Sequence, residues 1–154
     1  RLTTGLESGS QRMLDEMRKG TDLDTTRRFL ADAATAGLSV RVTMILGYPG
    51  ERPSDVEASA AFLEENADRI ERVALNRFAL VTGSRLHRSI EREPAAFADL
   101  GALRPNHRQA LLDHQFAPAR EPAYRRAVSR LLGAVHRINR RPIREAASEF
   151  EGVM

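Results

Sequence analysis

The stretch Ser39-Val40-Arg41-Val42-Thr43-Met44-Ile45-Leu46, followed by Gly47-Tyr48-Pro49-Gly50-Glu51, decides the fold that the sequence predicts. The first run is rich in β-branched residues and ends at a glycine, which is typical of a β-strand. Side chains alternate along a strand, so the apolar residues Val40, Val42, Met44 and Leu46 share one face. We predict that this face packs against helices and that Thr43 lies on the other, more polar face.

Three helices are predicted around this strand. The first opens at Ser8-Gly9-Ser10-Gln11, whose spacing suits a capping box, and it runs to Lys19, where Gly20 ends it. The second opens at Thr21 to Asp24 and the third at Ser54 to Glu57, each with the same kind of start signal.

Two more strands are predicted at residues 2–7 and 73–80. Strands joined by helices of this length pair in parallel, so residues 1–83 are predicted to be an α/β unit, part of a layer or a barrel. Beyond Gly83 only helical periodicity remains, interrupted by prolines, so residues 84–154 are predicted to be an all-helical extension. Its clearest helix, 124–139, has one apolar stripe, formed by Val128, Leu131, Leu132, Val135 and Ile138.

Composition limits the classes of function. The 154 residues are 42% hydrophobic and 29% charged, carry a net charge of +3 and include no cysteine. Disulfides, thiolate nucleophiles and a cysteine-held iron–sulfur cluster within this chain are thereby excluded. No apolar run of about 18 residues and no leader pattern occurs, so we expect no membrane partner and a cytoplasmic location. The chain begins at Arg1 inside a strand pattern, and we expect it to be a fragment.

Two glycine-bearing segments mark a candidate binding edge, Gly5-Leu6-Glu7-Ser8-Gly9 and Gly47-Tyr48-Pro49-Gly50-Glu51. Each follows a predicted strand and precedes a helix, and ligands of parallel α/β folds bind at that edge. Neither segment matches a Gly-x-Gly-x-x-Gly or Walker loop. Glycines that serve only tight turning are the alternative interpretation.

Three separated motifs carry a resemblance to a known family. They are Gly5-Leu6-Glu7-Ser8-Gly9-Ser10-Gln11, Leu14-Asp15-x-Met17-x-Lys19-Gly20-Thr21 and Ile45-x-Gly47-Tyr48-Pro49-Gly50-Glu51. Over roughly residues 1–85 the chain resembles the radical S-adenosylmethionine (radical SAM) superfamily, most closely the branch whose members often carry a cobalamin-binding domain.

The resemblance implies a fold and a chemistry. The fold would be the carboxyl-terminal half of a partial (βα)6 TIM-like barrel, whose missing amino-terminal half is the expected partner. That half would hold a [4Fe–4S] cluster on a Cys-x-x-x-Cys-x-x-Cys loop, where S-adenosylmethionine is cleaved to a 5′-deoxyadenosyl radical. The chain would then be a fragment of an enzyme that modifies an unknown substrate and is inactive alone, with cobalamin as a further cofactor of the full-length protein.

The resemblance also implies a cofactor site, although no residue stands out as catalytic. Glu7 and Ser8 would hydrogen-bond the ribose or amino group of S-adenosylmethionine, and Lys19 would pair with its methionine carboxylate. Thr43 stands where relatives often have a carboxylate that contacts the ribose. For Glu7 and Lys19, favourable positions near helix ends are the alternative explanation.

The adenine would be held by the remaining residues of the site. Gly47 and Tyr48 would lie against the ring, and Phe78 and Ala79 would close the pocket. Strand alternation does not decide which of Phe78 and Ala79 points inward. Judged without the resemblance, Tyr48 and Phe78 are ordinary packing residues.

The histidines and arginines bear on two other functions, metal binding and the binding of RNA or an acidic partner. His87, His107, His114 and His136 contain no i, i+4 pair, so we predict no metal site. The arginine-rich region 125–144 gives the alternative function, a non-enzymatic scaffold that binds RNA or an acidic partner. Glu145, Glu149 and Glu151 follow it closely and no aromatic residues interleave, so a solvated helix face is favoured and nucleic acid is not expected.

Overall fold

The computed structural model describes residues 1–106 and 108–143, so His107 and residues 144–154, including Glu145, Glu149 and Glu151, lie outside the described residues. The first half contains β1 (Leu2–Glu7), α1 (Gln11–Glu16), α2 (Leu23–Thr35), β2 (Val40–Leu46), α3 (Pro53–Glu65) and β3 (Arg72–Arg77). The second half contains β4 (Leu80–Val81), α4 (Arg85–Arg92), β5 (Arg104–Asn106), β6 (Leu111–Asp113) and α5 (Pro122–Asn139). In this described part, none of the helices is long and apolar enough to cross a membrane.

The first half is built on a parallel sheet of three strands in the order β1-β2-β3. Gly5 of β1 lies beside Thr43 of β2, which lies beside Ala74 of β3. The predicted α/β class with parallel pairing is therefore confirmed, and the sheet is consistent with part of a barrel.

The two faces of this sheet differ as the alternation of β2 predicts. Val40, Val42 and Met44 are buried in a core that α2, α3 and α5 complete. Thr43 is only half-buried and shares the other face with Gly5 and Ala74. We call this second face, defined by Gly5, Thr43 and Ala74, the open face of the sheet.

The predicted course of α1 is wrong at its end. The helix stops at Glu16, and Arg18, with φ of 53°, takes the left-handed position that was predicted for Gly20. The Lys19 amide donates to the carbonyl of Leu14 and the Arg18 amide to that of Asp15, a Schellman pairing that closes the helix early. Lys19 therefore lies beyond the helix, which removes the explanation of Lys19 as a cation of the last helical turn.

Helix starts also differ in detail from the sequence signals. Ser10 precedes α1 without capping it, because its hydroxyl donates to Asp55 at 2.7 Å. For α2 the cap is Asp22, whose carboxylate accepts from the Thr25 amide at 2.7 Å. Each helix exists, but the cap depends on which neighbouring polar side chain is free to turn toward the helix end.

The second half is not all-helical, so the prediction for residues 84–154 is wrong in this respect. Strands β4, β6 and β5 form an antiparallel sheet in that order. Each has three residues or fewer, which is too short for alternation to show in the sequence. Leu80, the last residue of the predicted third strand, pairs in this second sheet instead of the parallel one, together with Val81.

Helix α5 returns to the first half and packs on α3 and β3. Its buried stripe consists of Tyr124, Ala127, Leu131, Ala134 and Ile138, whereas Leu132 is 51% exposed. The helix also covers part of the outer edge of β3. There the Asn139 Oδ1 accepts from the backbone amide of Val73 at 2.8 Å, and the Asn139 Nδ2 donates to the backbone carbonyl of Val73 at 2.9 Å. These two bonds replace those that a neighbouring strand would make.

Candidate functional site

An ion pair between Glu7 and Lys19 lies at the carboxyl end of the parallel sheet. The Lys19 Nζ donates to Glu7 Oε1 at 2.8 Å, and the two side chains are 37% and 17% exposed, with Lys19 the more open. A Cβ placed on Gly5 would lie 2.5 Å from Glu7 Oε1 and 3.0 Å from Lys19 Nζ. The pair therefore lies against the backbone of Gly5, on the open face beside Thr43.

The backbone at Glu7 is unusual. The pairing of β1 with β2 has an irregularity between Gly5 and Glu7, and Glu7 has φ of 61°. A bulge redirects a side chain, and a left-handed backbone at a residue other than glycine costs free energy. The bulge and the left-handed backbone thus fix the position of the Glu7 carboxylate at a cost in local strain. Strained residues of this kind are common at functional sites.

Two predicted adenine-contacting residues meet at the ends of β2 and β3. The rings of Tyr48 and Phe78 are 5.1 Å apart in an edge-on arrangement, and the Phe78 ring also lies 5.4 Å from that of His114. Burial raises the pKa of the Tyr48 hydroxyl, and the charge of Glu16 adds to this effect. Of the two residues that alternation left undecided, Phe78 makes these ring contacts, whereas Ala79 is exposed; both residues border a second, smaller hollow.

A buried carboxylate, that of Glu51, fixes the loop after β2. Glu51 is 4% exposed, and its Oε2 accepts from the Gly47 amide at 2.8 Å and from the Tyr124 hydroxyl. Burial raises the pKa of Glu51 above its ordinary value, although the bonds from Tyr124 and Gly47 oppose this. Glu51 therefore holds the loop that carries Gly47 and Tyr48 against α5.

We expect Glu51→Ala to lower the free energy of unfolding by about 2–3 kcal/mol, because it leaves the Tyr124 hydroxyl and the Gly47 amide unpaired. Glu51→Gln keeps an acceptor oxygen and should cost about 1 kcal/mol or less. Since the folded-state pKa is raised, the native chain retains a proton that the unfolded chain releases. The stability of the wild type relative to Glu51→Gln should therefore fall as pH rises above about 4.5.

Urea unfolding between pH 4 and 8, followed by circular dichroism, measures both effects. Identical pH profiles for the wild type and Glu51→Gln would contradict the raised pKa. Equal losses of unfolding free energy in Glu51→Gln and Glu51→Ala would show that the loop requires the charge of Glu51 rather than an acceptor oxygen.

Ser8 lies apart from the Glu7 and Lys19 pair. Its side chain is buried, and its hydroxyl lies 3.2 Å from that of Ser59 on α3. The Ser59 hydroxyl also accepts from the Gly9 amide at 2.9 Å. The structure thus places Ser8 in the junction between the β1–α1 turn and α3.

Arg12 and Asp55 are important residues that the sequence reasoning missed. Asp55 is 4% exposed and accepts from the Arg12 guanidinium, the Ser10 hydroxyl and the Arg52 amide. Burial alone would raise the pKa of Asp55, but the bonds from Arg12 and Ser10 outweigh it and hold this pKa below its usual value. The Asp55 side chain therefore joins the two loops that carry the candidate site residues.

Two arginines of α5 have carboxylate partners within the chain. Arg130 donates to Glu57 at 2.6 Å and to Glu64 at 2.7 Å, and Arg137 donates to Glu64 at 2.8 Å. These contacts hold α5 on α3 and reduce the positive charge available for phosphates. They argue against the RNA-binding alternative. Among residues 1–106 and 108–143 there is also no group of three His, Cys, Asp or Glu side chains placed to hold a metal ion.

Comparison with known proteins gives partial matches to one kind of enzyme. The chain is 39% identical over 62 residues to the ribosomal protein uS12 methylthiotransferase RimO of Flavobacterium psychrophilum, which covers 39% of this chain and 14% of that protein. It is 36% identical over 85 residues to RimO of a Roseiflexus species, covering 54% of this chain and 18% of the relative. RimO of an Anaeromyxobacter species is 34% identical over the same length and coverage. No protein-family model matches the chain.

These relatives are radical SAM methylthiotransferases, and the chain spans less than one fifth of their length. They do not support the expectation of a cobalamin-associated branch or of cobalamin as a cofactor. At the level of the superfamily, the similarity supports the radical S-adenosylmethionine enzymes as the group to which this chain is related.

Proposed function

We propose that this chain is the part of a radical SAM enzyme that holds S-adenosylmethionine for the radical-initiated modification of a substrate. The observation that carries the proposal is the Glu7–Lys19 pair, which lies over Gly5 at the carboxyl edge of the parallel sheet. Ligands of parallel α/β folds bind at this edge. The similarity to RimO supports the same cofactor.

The charges of this pair fit the methionine part of S-adenosylmethionine, which carries a carboxylate and an ammonium group. Lys19 would release Glu7 and donate to the carboxylate, and Glu7 would accept from the ammonium group or the ribose hydroxyls. The left-handed backbone at Glu7 keeps this carboxylate at the strand end before the ligand arrives. The exposure of both side chains leaves them accessible from the open face.

The neighbouring residues fit the rest of the cofactor. Thr43 offers a hydroxyl on the open face, which can both donate to and accept from a ribose. The ring pair of Tyr48 and Phe78 offers apolar surface for adenine and would exclude water from it. Gly47 would contribute backbone at the same strand end. Ser8 would act indirectly, by holding the β1–α1 turn on α3.

The chain has no cysteine, so cysteines outside these 154 residues would ligate the [4Fe–4S] cluster. Bound at such a cluster, S-adenosylmethionine supplies the radical that starts the reaction. The role of Glu7, Lys19 and Thr43 is to orient the cofactor, and none of them needs to transfer a proton. The named relatives transfer a methylthio group to a ribosomal protein, and for this chain we propose only a radical-initiated modification.

The test is the binding of S-adenosylmethionine by the full-length protein after reconstitution of its cluster. We expect Glu7→Gln and Lys19→Ala each to weaken binding about tenfold or more, because each removes a charge-assisted hydrogen bond. Equilibrium dialysis with labelled S-adenosylmethionine measures this effect without requiring turnover.

Arg28→Ala is the matched control, because it removes an exposed positive charge on α2. It should leave the affinity unchanged within about twofold. Affinities that stay at the wild-type value in both Glu7→Gln and Lys19→Ala would refute the site. A loss of equal size in Arg28→Ala would show that net charge alone controls binding.

A further inference from the structure

A cavity of about 560 Å³ lies on the helix-covered side of the sheet, away from the open face. Leu46 and Arg77, which are neighbours in the register of β2 and β3, contribute one wall, and α5 contributes another through Arg125 and Val128. Leu46 follows the buried Met44 in the alternation of β2, which places this cavity opposite Thr43. Its volume is within the range of small-molecule sites, about 300–1,000 Å³.

The lining of the cavity combines positive charge with apolar surface. Arg77, Arg125 and His114 border it, and the described residues that line it include no aspartate or glutamate. Both arginines are exposed, so their guanidinium groups can turn toward a ligand. A guanidinium binds a carboxylate or phosphate with two parallel hydrogen bonds, and two arginines that border one cavity favour an anion there.

Part of the lining of the cavity is apolar and held in place. The rings of Phe116 and Tyr124 lie 5.4 Å apart in an edge-on arrangement, next to Leu46 and Val128. The Tyr124 side chain is fixed before any ligand binds, because its hydroxyl donates to the buried Glu51 carboxylate. A fixed apolar lining with two arginines on its border suits a flat apolar group with an anion at one end.

We propose that this cavity binds a small organic anion, an aromatic or similarly flat apolar group that carries a terminal phosphate or carboxylate. The site borders the candidate cofactor site, with which it shares Gly47 and Phe78. The proposal does not depend on the proposed function, because the residues that carry it, Arg77, Arg125 and Tyr124, have no role in the candidate cofactor site.

The test uses 1-naphthyl phosphate as the probe and the full chain as the receptor, with binding followed by isothermal titration calorimetry. Saturable binding of one probe per chain is expected. Arg77→Gln and Arg125→Gln should each weaken it about tenfold, because each removes charge-assisted hydrogen bonds to the phosphate. The uncharged 1-naphthol should bind about tenfold more weakly than the phosphate for the same reason.

Arg126→Gln is the control, since Arg126 is exposed and is the next residue of α5 but does not border the cavity. It should change the affinity by less than about twofold. No saturable binding, equal affinities for the phosphate and 1-naphthol, or equal losses in Arg125→Gln and Arg126→Gln would each overturn the proposal. Binding of S-adenosylmethionine, measured with the same substitutions in the full-length protein after reconstitution of its cluster, should be unchanged, so failure at one site does not imply failure at the other.

Discussion

Replacing Asp55 with alanine should lower the free energy of unfolding by about 3 kcal/mol. Asp55 is 5% exposed in its side chain and is bonded to Arg12, Ser10 and the Arg52 amide, so its loss leaves several donors without an acceptor. Removing one partner of a buried ion pair costs about 3–5 kcal/mol. The lower end applies here because the Arg12 side chain is 39% exposed and can be hydrated.

Asp55 should also make the free energy of unfolding depend on pH in the acid range. Since the pKa of Asp55 is lower in the folded chain than in the unfolded one, its stabilisation is fully present above about pH 3.8. It should be lost as pH falls through the lowered folded-state value. The difference in stability between the wild type and Asp55→Asn should therefore shrink on acidification below pH 3.8, the reverse of the trend expected for Glu51.

Chemical unfolding of each variant at pH 7 and at lower pH provides the measurement. Asp24→Ala is the control, because Asp24 pairs with Arg27 at 2.9 Å but is 85% exposed. An exposed pair of this kind contributes about 1 kcal/mol or less. If Asp55→Ala cost no more than Asp24→Ala, the buried network would not hold the two loops together.

Gly9→Ala should destabilise the chain by about 3 kcal/mol. A Cβ on Gly9 would lie 2.6 Å from the Ser59 Cα, 2.8 Å from the Phe62 Cβ and 2.9 Å from the Ala58 carbonyl oxygen. These atoms belong to the body of α3 and cannot turn aside as the end of a flexible side chain could. Forcing a methyl group into packed atoms costs about 1–3 kcal/mol, and the rigid helix places this substitution at the upper end.

Gly133→Ala is the matched control for this substitution. Gly133 lies inside α5, and a Cβ there would meet only the end of the Arg137 side chain, at 3.5 Å. Alanine is favoured over glycine in a helix by about 1 kcal/mol, so this variant should be more stable than the wild type. Thermal unfolding of the two variants should give shifts of opposite sign, and shifts of the same sign would contradict the close contact between Gly9 and α3.

The core of the fold was predictable because its signals are local. The alternation of β2 is visible within seven residues, and it correctly separates buried Val40, Val42 and Met44 from half-buried Thr43. The strand and helix order of the first half follows from the same short-range patterns. The short strands of the second sheet were missed because two or three residues do not show a period.

The candidate site was predictable only in part. The motifs singled out Glu7, Lys19 and Tyr48, and their roles with S-adenosylmethionine stay predictions. Nothing in the sequence indicated that Glu7 and Lys19 bind each other, because that contact depends on a bulge in β1 and on an early end to α1. Nor did any signal show that Ser8 turns toward α3.

By itself, the sequence determined the parallel α/β half of this protein, the orientation of β2 and the absence of cysteine ligands for a cluster. The tertiary structure decided which distant residues hold the site, pairing Arg12 with Asp55 and Glu51 with Tyr124. It also decided where the basic cavity lies. The physical reason is the separation in sequence between the residues that interact. Helix and strand patterns depend on neighbours a few residues apart. The two bonds join residues 43 and 73 positions apart, which come together only when the chain folds.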